Sequence, residues 1–256
     1  MRNELEAHLM MFAATFARFL AAVVMLPLPW SRPVPPQVRI VFAMALTALA
    51  IPAWPRTGVS GTGGFFLNAI ACEVSLGLAM GVVLGWLGEI TVTSMQLVAS
   101  QAGFGFAAMI DPTTQSDSTV LQLTGQLAGW LILVAAGADR EIVRLLALSV
   151  ELFPPGTYAL SAETVQHAAA WTSAALVFAL RLALPVILLL GIADSVLALA
   201  GRFQPHLQLV TLAFPVKTMS SIWITAWLMG VIAVLYPQAC GQALSVLRKV
   251  IFSLVR

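Results

Sequence analysis

The sequence is poor in charge. Of 256 residues, 13 are Lys or Arg and 11 are Asp or Glu, 9% in all, whereas soluble domains carry roughly 25%. That is too little to cover a soluble surface; it argues against an ordinary soluble enzyme and for an integral membrane protein or a subunit buried by other apolar subunits. Cysteine is also scarce. Cys72 and Cys240 both lie in apolar stretches, where they read as small buried hydrophobes rather than a disulfide scaffold or metal site. His8, His167 and His206 are too scattered for a ligand set. With a net charge of +2 there is no basic field for nucleic acid. Catalytic signatures are missing as well: no G-x-S-x-G, H-E-x-x-H, Walker A or strand-to-helix G-x-G-x-x-G occurs. The spacing of Asp111, Asp117 and Asp194 does not support an intramembrane aspartyl pair. Neither an enzyme nor a cofactor is expected.

What is present is apolar: 60% of residues are aliphatic, aromatic, Met or Cys. Apolar runs set against proline and glycine breakers predict an all-α chain of about six long helices, over 5–30, 36–53, 64–100, 118–153, 165–201 and 207–253. Pro27, Pro29, Pro33, Pro35 and Pro36 exclude helix in the first connection. The run Phe153-Pro154-Pro155-Gly156 marks a boundary between 1–156 and 157–256. The acidic start and the Leu26-Pro27-Leu28-Pro29-Trp30 end of the first run do not suit a cleaved signal peptide, so this segment is expected to stay in the mature protein.

Segment length argues against simple upright crossings. A helix of 35 residues spans about 52 Å, against a hydrocarbon core of roughly 30 Å. Windows of at least 20 residues without acid or base occur only at 90–110, 118–138 and 218–247. Elsewhere Glu73, Glu89, Arg181 and Asp194 interrupt apolar helices. Such charges face a partner or an aqueous cavity, or snorkel from helix ends to headgroups. Taken together the four point to burial within a larger assembly. Glu73, Gly77, Gly81, Gly85 and Glu89 recur every fourth residue, a spacing that forms a groove for another helix, from this chain or from a partner. Basic residues spread over successive connections and leave orientation open.

Two stretches hold most of the pattern. From Gly103 to Ser118 a long helix is interrupted by Gly103 and Gly105 and leaves helix at Asp111-Pro112. Between these lie Phe104, Phe106, Met109 and Ile110. Such a loop is either an apolar plug that dewets a pore or a connection outside the membrane. From Gly201 to Lys217, Arg202 and Pro205 form a hairpin tip, and Phe214-Pro215 kinks the last helix. Lys217 then stands alone before thirty uncharged residues. Pro185 bends the preceding helix in the same way.

These stretches carry a resemblance. QAGFGFAAMIDP (Gln101 to Pro112) is similar to the Gly-rich loop ending in Asp-Pro of the FliR/SctT export-gate family of flagellar and injectisome type III secretion systems. GRFQPHLQLVTLAFPVK (Gly201 to Lys217) is similar to that family's Arg-x-x-Pro-x-Leu followed by Phe-Pro-Leu-Lys, with Ala213 and Gln208 where Gly and Asn are common. VPPQVRIVFAMALTALAIP (Val34 to Pro52) resembles its second segment. The resemblance implies a FliP-like part over 1–156 and a FliQ-like helical hairpin over 157–256. It implies a single copy in a helical ring of FliP and FliQ homologues at the inner membrane of the flagellar basal body, with FlhB and FlhA nearby. It also implies a plug at 103–118 and passage of unfolded export substrates among membrane lipid. The injectisome gate is the alternative within the family. A small-solute secondary transporter is the alternative outside it, disfavoured because four-plus-two helices are not a matched inverted pair.

Overall fold

The computed structural model describes residues 2–26, 35–54, 63–104, 120–158, 162–203 and 209–252. Among these there are seven α-helices and no strand: α1 (Arg2–Met25), α2 (Pro36–Ala50), α3 (Gly63–Ala102), α4 (Val120–Ala135), α5 (Ala138–Leu152), α6 (Ala162–Phe203) and α7 (Leu209–Phe252). A 3-10 turn over Ile51–Ala53 follows α2. The all-α reading of the sequence holds. The fourth apolar segment is corrected, because it is two helices bent by 70° at their junction. Gly137 is the cause. Its φ of +69° lies where only glycine rests without strain. Its N–H closes α4 on the Val134 carbonyl at 2.9 Å, and its own carbonyl takes the first bond of α5 from Glu141 N–H. Asp139 and Glu141 in the first turn of α5 then complement the helix dipole.

Local chemistry sets the other ends. Pro36 starts α2, where its missing N–H costs nothing. Gly103 ends α3 at a φ of +87°: its N–H reaches the Ser100 carbonyl at 3.3 Å, and the Phe104 N–H reaches the Ala99 carbonyl at 3.1 Å. These are the two bonds of a Schellman cap. Pro155 and Gly156, with φ +87° at the glycine, turn the chain after α5, closed by Thr157 N–H on the Pro154 carbonyl at 3.0 Å. Neither Pro185 nor Pro215 ends its helix, and α7 also continues through Pro237.

The chain divides into two compact units, one comprising Met1–Gly88, Leu133–Ala174 and Cys240–Arg256, the other Glu89–Ile132 and Ala175–Ala239. In the first, the glycine groove of α3 is filled by this chain's own α1. A Cβ at Gly81 would lie 2.9 Å from the Ala22 carbonyl oxygen, one at Gly85 2.8 Å from that of Met25, and one at Gly77 would fall on that of Arg18. The Trp171 indole N–H also bonds the Val83 carbonyl at 3.1 Å. In the second unit, α4 closes on α3 through a smaller groove: a Cβ at Gly125 or Gly129 would strike Met95 or Thr91. There α6 and α7 form an antiparallel hairpin with a core that includes Leu182, Val186 and Leu190 on one side and Leu228, Ile232 and Tyr236 on the other.

Candidate functional site

The largest fully buried side chain among the described residues is Arg18, which interrupts the apolar face of α1. Its Nε–H donates to Glu73 Oε2 on α3 at 2.5 Å, with both side chains 0% exposed. Nη1 donates to the Ser149 carbonyl at 2.7 Å, and Nη2 to the Phe153 carbonyl at 2.9 Å. The Phe153 carbonyl sits at the C-cap of α5, where helix acceptors lack partners of their own, while the Ser149 carbonyl takes the guanidinium in addition to the Phe153 N–H at 3.1 Å. The other Glu73 oxygen accepts the Gly156 N–H at 2.8 Å. One guanidinium and one carboxylate thus tie together α1, α3, the end of α5 and the turn after it. Arg18 was missed in the sequence because it stands alone in a run that otherwise reads as one apolar crossing. Its signal was a lone base opposite in charge to the lone acid Glu73.

The second unit holds a more open knot. Lys217 Nζ on α7 lies 2.8 Å from Asp194 Oδ1 and 2.9 Å from Oδ2 on α6. The Gln101 amide, two residues before the capping Gly103, donates to Asp194 Oδ2 at 3.3 Å. Lys217 is 17% and Asp194 41% exposed, so the pair is partly screened. Three positions singled out in separate motifs therefore meet at the root of the 103–118 loop. Lys217, the last charge before thirty uncharged residues, is thus paired across the hairpin.

The expected buried charges divide. Glu73 is fully buried and Asp194 half-buried, each with a partner inside this chain. Glu89 and Arg181 are exposed on the surface of this chain taken by itself. Neither has an ion pair or hydrogen bond among the described residues. Pro215 and Arg202 are exposed. Phe214 lies in the first turns of α7, and Gly103 and Phe104 form the turn that closes α3. Gly105, Phe106, Met109, Ile110, Asp111, Pro112 and Pro205 lie outside the described residues. Among the described residues no group of three His, Cys, Asp or Glu could hold a metal ion.

Among the described residues four helices are long and apolar enough to cross a membrane, His8–Met25, Asn68–Ala102, Ala162–Arg202 and Pro215–Lys249, and the bent pair α4–α5 makes a fifth if it counts as one span. With the Arg18–Glu73 pair fully buried and many large apolar residues exposed, this is the build of an all-helical membrane protein. Residues 9–243 match the profile of the family described as "Bacterial export proteins, family 1". The chain belongs to that family, in which it falls with FliR and SctT proteins as a type III export apparatus subunit. The flagellar biosynthetic protein FliR of Escherichia coli K12 is 26% identical over 216 residues, 84% of this chain and 83% of the relative. FliR of Caulobacter vibrioides is 24% identical over 237 residues, covering 91% and 94%. The Yop proteins translocation protein T of Yersinia pestis is 28% identical over 149 residues, covering 55% and 56%.

Proposed function

We propose that this chain is a subunit of the flagellar export gate, forming with FliP and FliQ homologues part of the channel that passes unfolded flagellar proteins across the bacterial inner membrane. One observation carries the reading. α3, α6 and α7 have 40, 42 and 44 residues, or about 60–66 Å at 1.5 Å per residue, twice the roughly 30 Å hydrocarbon core. Their outer faces expose large apolar residues such as Leu188, Val196, Trp223 and Val234. Helices of that length, apolar beyond what a bilayer covers, call for other apolar helices around them. Similarity to flagellar proteins over more than four-fifths of both chains favours the flagellar system over the injectisome.

In this reading residues 1–156 take the FliP-like place and 157–256 the FliQ-like hairpin, in the basal body beside FlhB and FlhA. The apolar 103–118 segment, rooted by the Gly103 cap and the Gln101–Asp194–Lys217 knot, plugs the channel. A constriction lined by Phe104, Phe106, Met109 and Ile110 holds back hydrated ions by dewetting, without a fixed charge. Shortening 103–118 in cells with normal complex levels should therefore raise ion conductance while export is retained or modestly impaired. An ion-tight shortened variant would refute the plug. A wild-type chain that stays monodisperse alone and ignores co-expressed FliP and FliQ homologues would refute the gate reading.

A further inference from the structure

α6 and α7 leave between them an open apolar groove of about 290 Å³. Pro185, Val186 and Leu189 line one side, and Trp223, Trp227 and Leu228 the other. The two indoles are 80% and 72% exposed, large apolar areas that a folded assembly covers. One helical turn before Pro185, on the same face of α6, stands the exposed Arg181, which has no partner among the described residues. We propose that this groove receives an apolar helix from a neighbouring export subunit, and that the helix brings one carboxylate onto Arg181. The proposal rests on the gate assembly argued above and names the surface and chemistry of one of its contacts.

The occupant follows from charge and shape. Arg181 has 17 uncharged residues before it and 12 after it, and a guanidinium in such a setting needs an anion. A carboxylate meets it with two parallel hydrogen bonds. The pair Asp194–Lys217 fixes the hairpin register: thirteen residues back from Asp194 stands Arg181, and thirteen on from Lys217 stands Gly230. Gly230 is exposed, and a Cβ there would meet nothing within 4 Å. Gly230 follows Trp227 by three residues and Trp223 by seven, on the indole face of α7, where a bare backbone lets another helix come close. A lipid acyl chain gains nothing from it, and a lipid phosphate reaches Arg181 only at the headgroup layer. Both features favour a protein helix.

The test places the photo-crosslinking residue p-benzoylphenylalanine at position 227 and co-expresses the chain with FliP and FliQ homologues. Failure of the wild-type chain to co-purify with them would strike the gate reading itself. Given co-purification, the adduct should map to an apolar helix of one of the two subunits, within a turn of an Asp or Glu. R181E should lower recovered complex at least about tenfold, the scale of opposing a paired interface charge. R181K should keep most of it, and reversing the mapped acid to Lys should restore R181E. An adduct with lipid alone, an adduct on a helix without a carboxylate, or full recovery of R181E overturns the proposal. Where R181E harms folding by itself, the position-227 adduct on the wild-type background decides.

Discussion

Replacing Arg18 with Met keeps much of the side chain's length and removes its charge. Glu73 is then left at 0% exposure with the Gly156 N–H as its one remaining donor from the knot. The Ser149 and Phe153 carbonyls lose their guanidinium donors at the same time. Removing one partner of a buried pair costs about 3–5 kcal/mol, because the other charge stays desolvated. For a chain of this size each kcal/mol moves Tm by about 2–4 °C, so Arg18→Met should lower it by roughly 6–20 °C. The measurement is thermal unfolding of the detergent-solubilised protein, followed by helical circular dichroism. The second arm is Arg18→Met with Glu73→Gln. The amide still accepts the Gly156 N–H and carries no charge, so the double variant should recover more than half of the loss. A single variant within a degree or two of wild type would refute the knot's structural weight. A double variant as damaged as the single one would show that charge desolvation is not the cause.

The glycine groove and the break before α5 give two further tests. Gly81→Leu should drive α1 away from α3, since even a Cβ sits 2.9 Å from the Ala22 carbonyl oxygen; recovery of the gate complex should fall sharply, and wild-type recovery would mean that α1 does not pack there. Gly137→Ala must hold a left-handed φ of +69° with a side chain, at about 1–2 kcal/mol. No neighbour obstructs its Cβ, so the loss should be confined to Tm, by roughly 2–8 °C, with assembly intact. Unchanged melting would mean that the two helices straighten into one.

Composition and breakers determined the helices. An apolar run with almost no charge has one way to satisfy its backbone away from water, and prolines and glycines mark where that way is closed. α1, α2, α3, α6 and α7 were legible for this reason. Gly137 was not, because a lone glycine in an apolar run reads equally as continuing helix; only its positive φ, decided where the chain turns, makes it a break. The i, i+4 glycines of α3 announced a close helix neighbour, and the tertiary structure decided that the neighbour is α1. Charges divided most clearly. Asp194 and Lys217 are 23 residues apart, Arg18 and Glu73 are 55, and Ser149 lies 131 from Arg18. Pairing across such separations depends on which helix faces meet, and periodicity within one helix carries no record of that. The sequence by itself marked which side chains an apolar helix does not tolerate alone. Packing then decided that Glu73 and Asp194 find partners inside this chain, while Glu89 and Arg181 face outward with their charges unmatched.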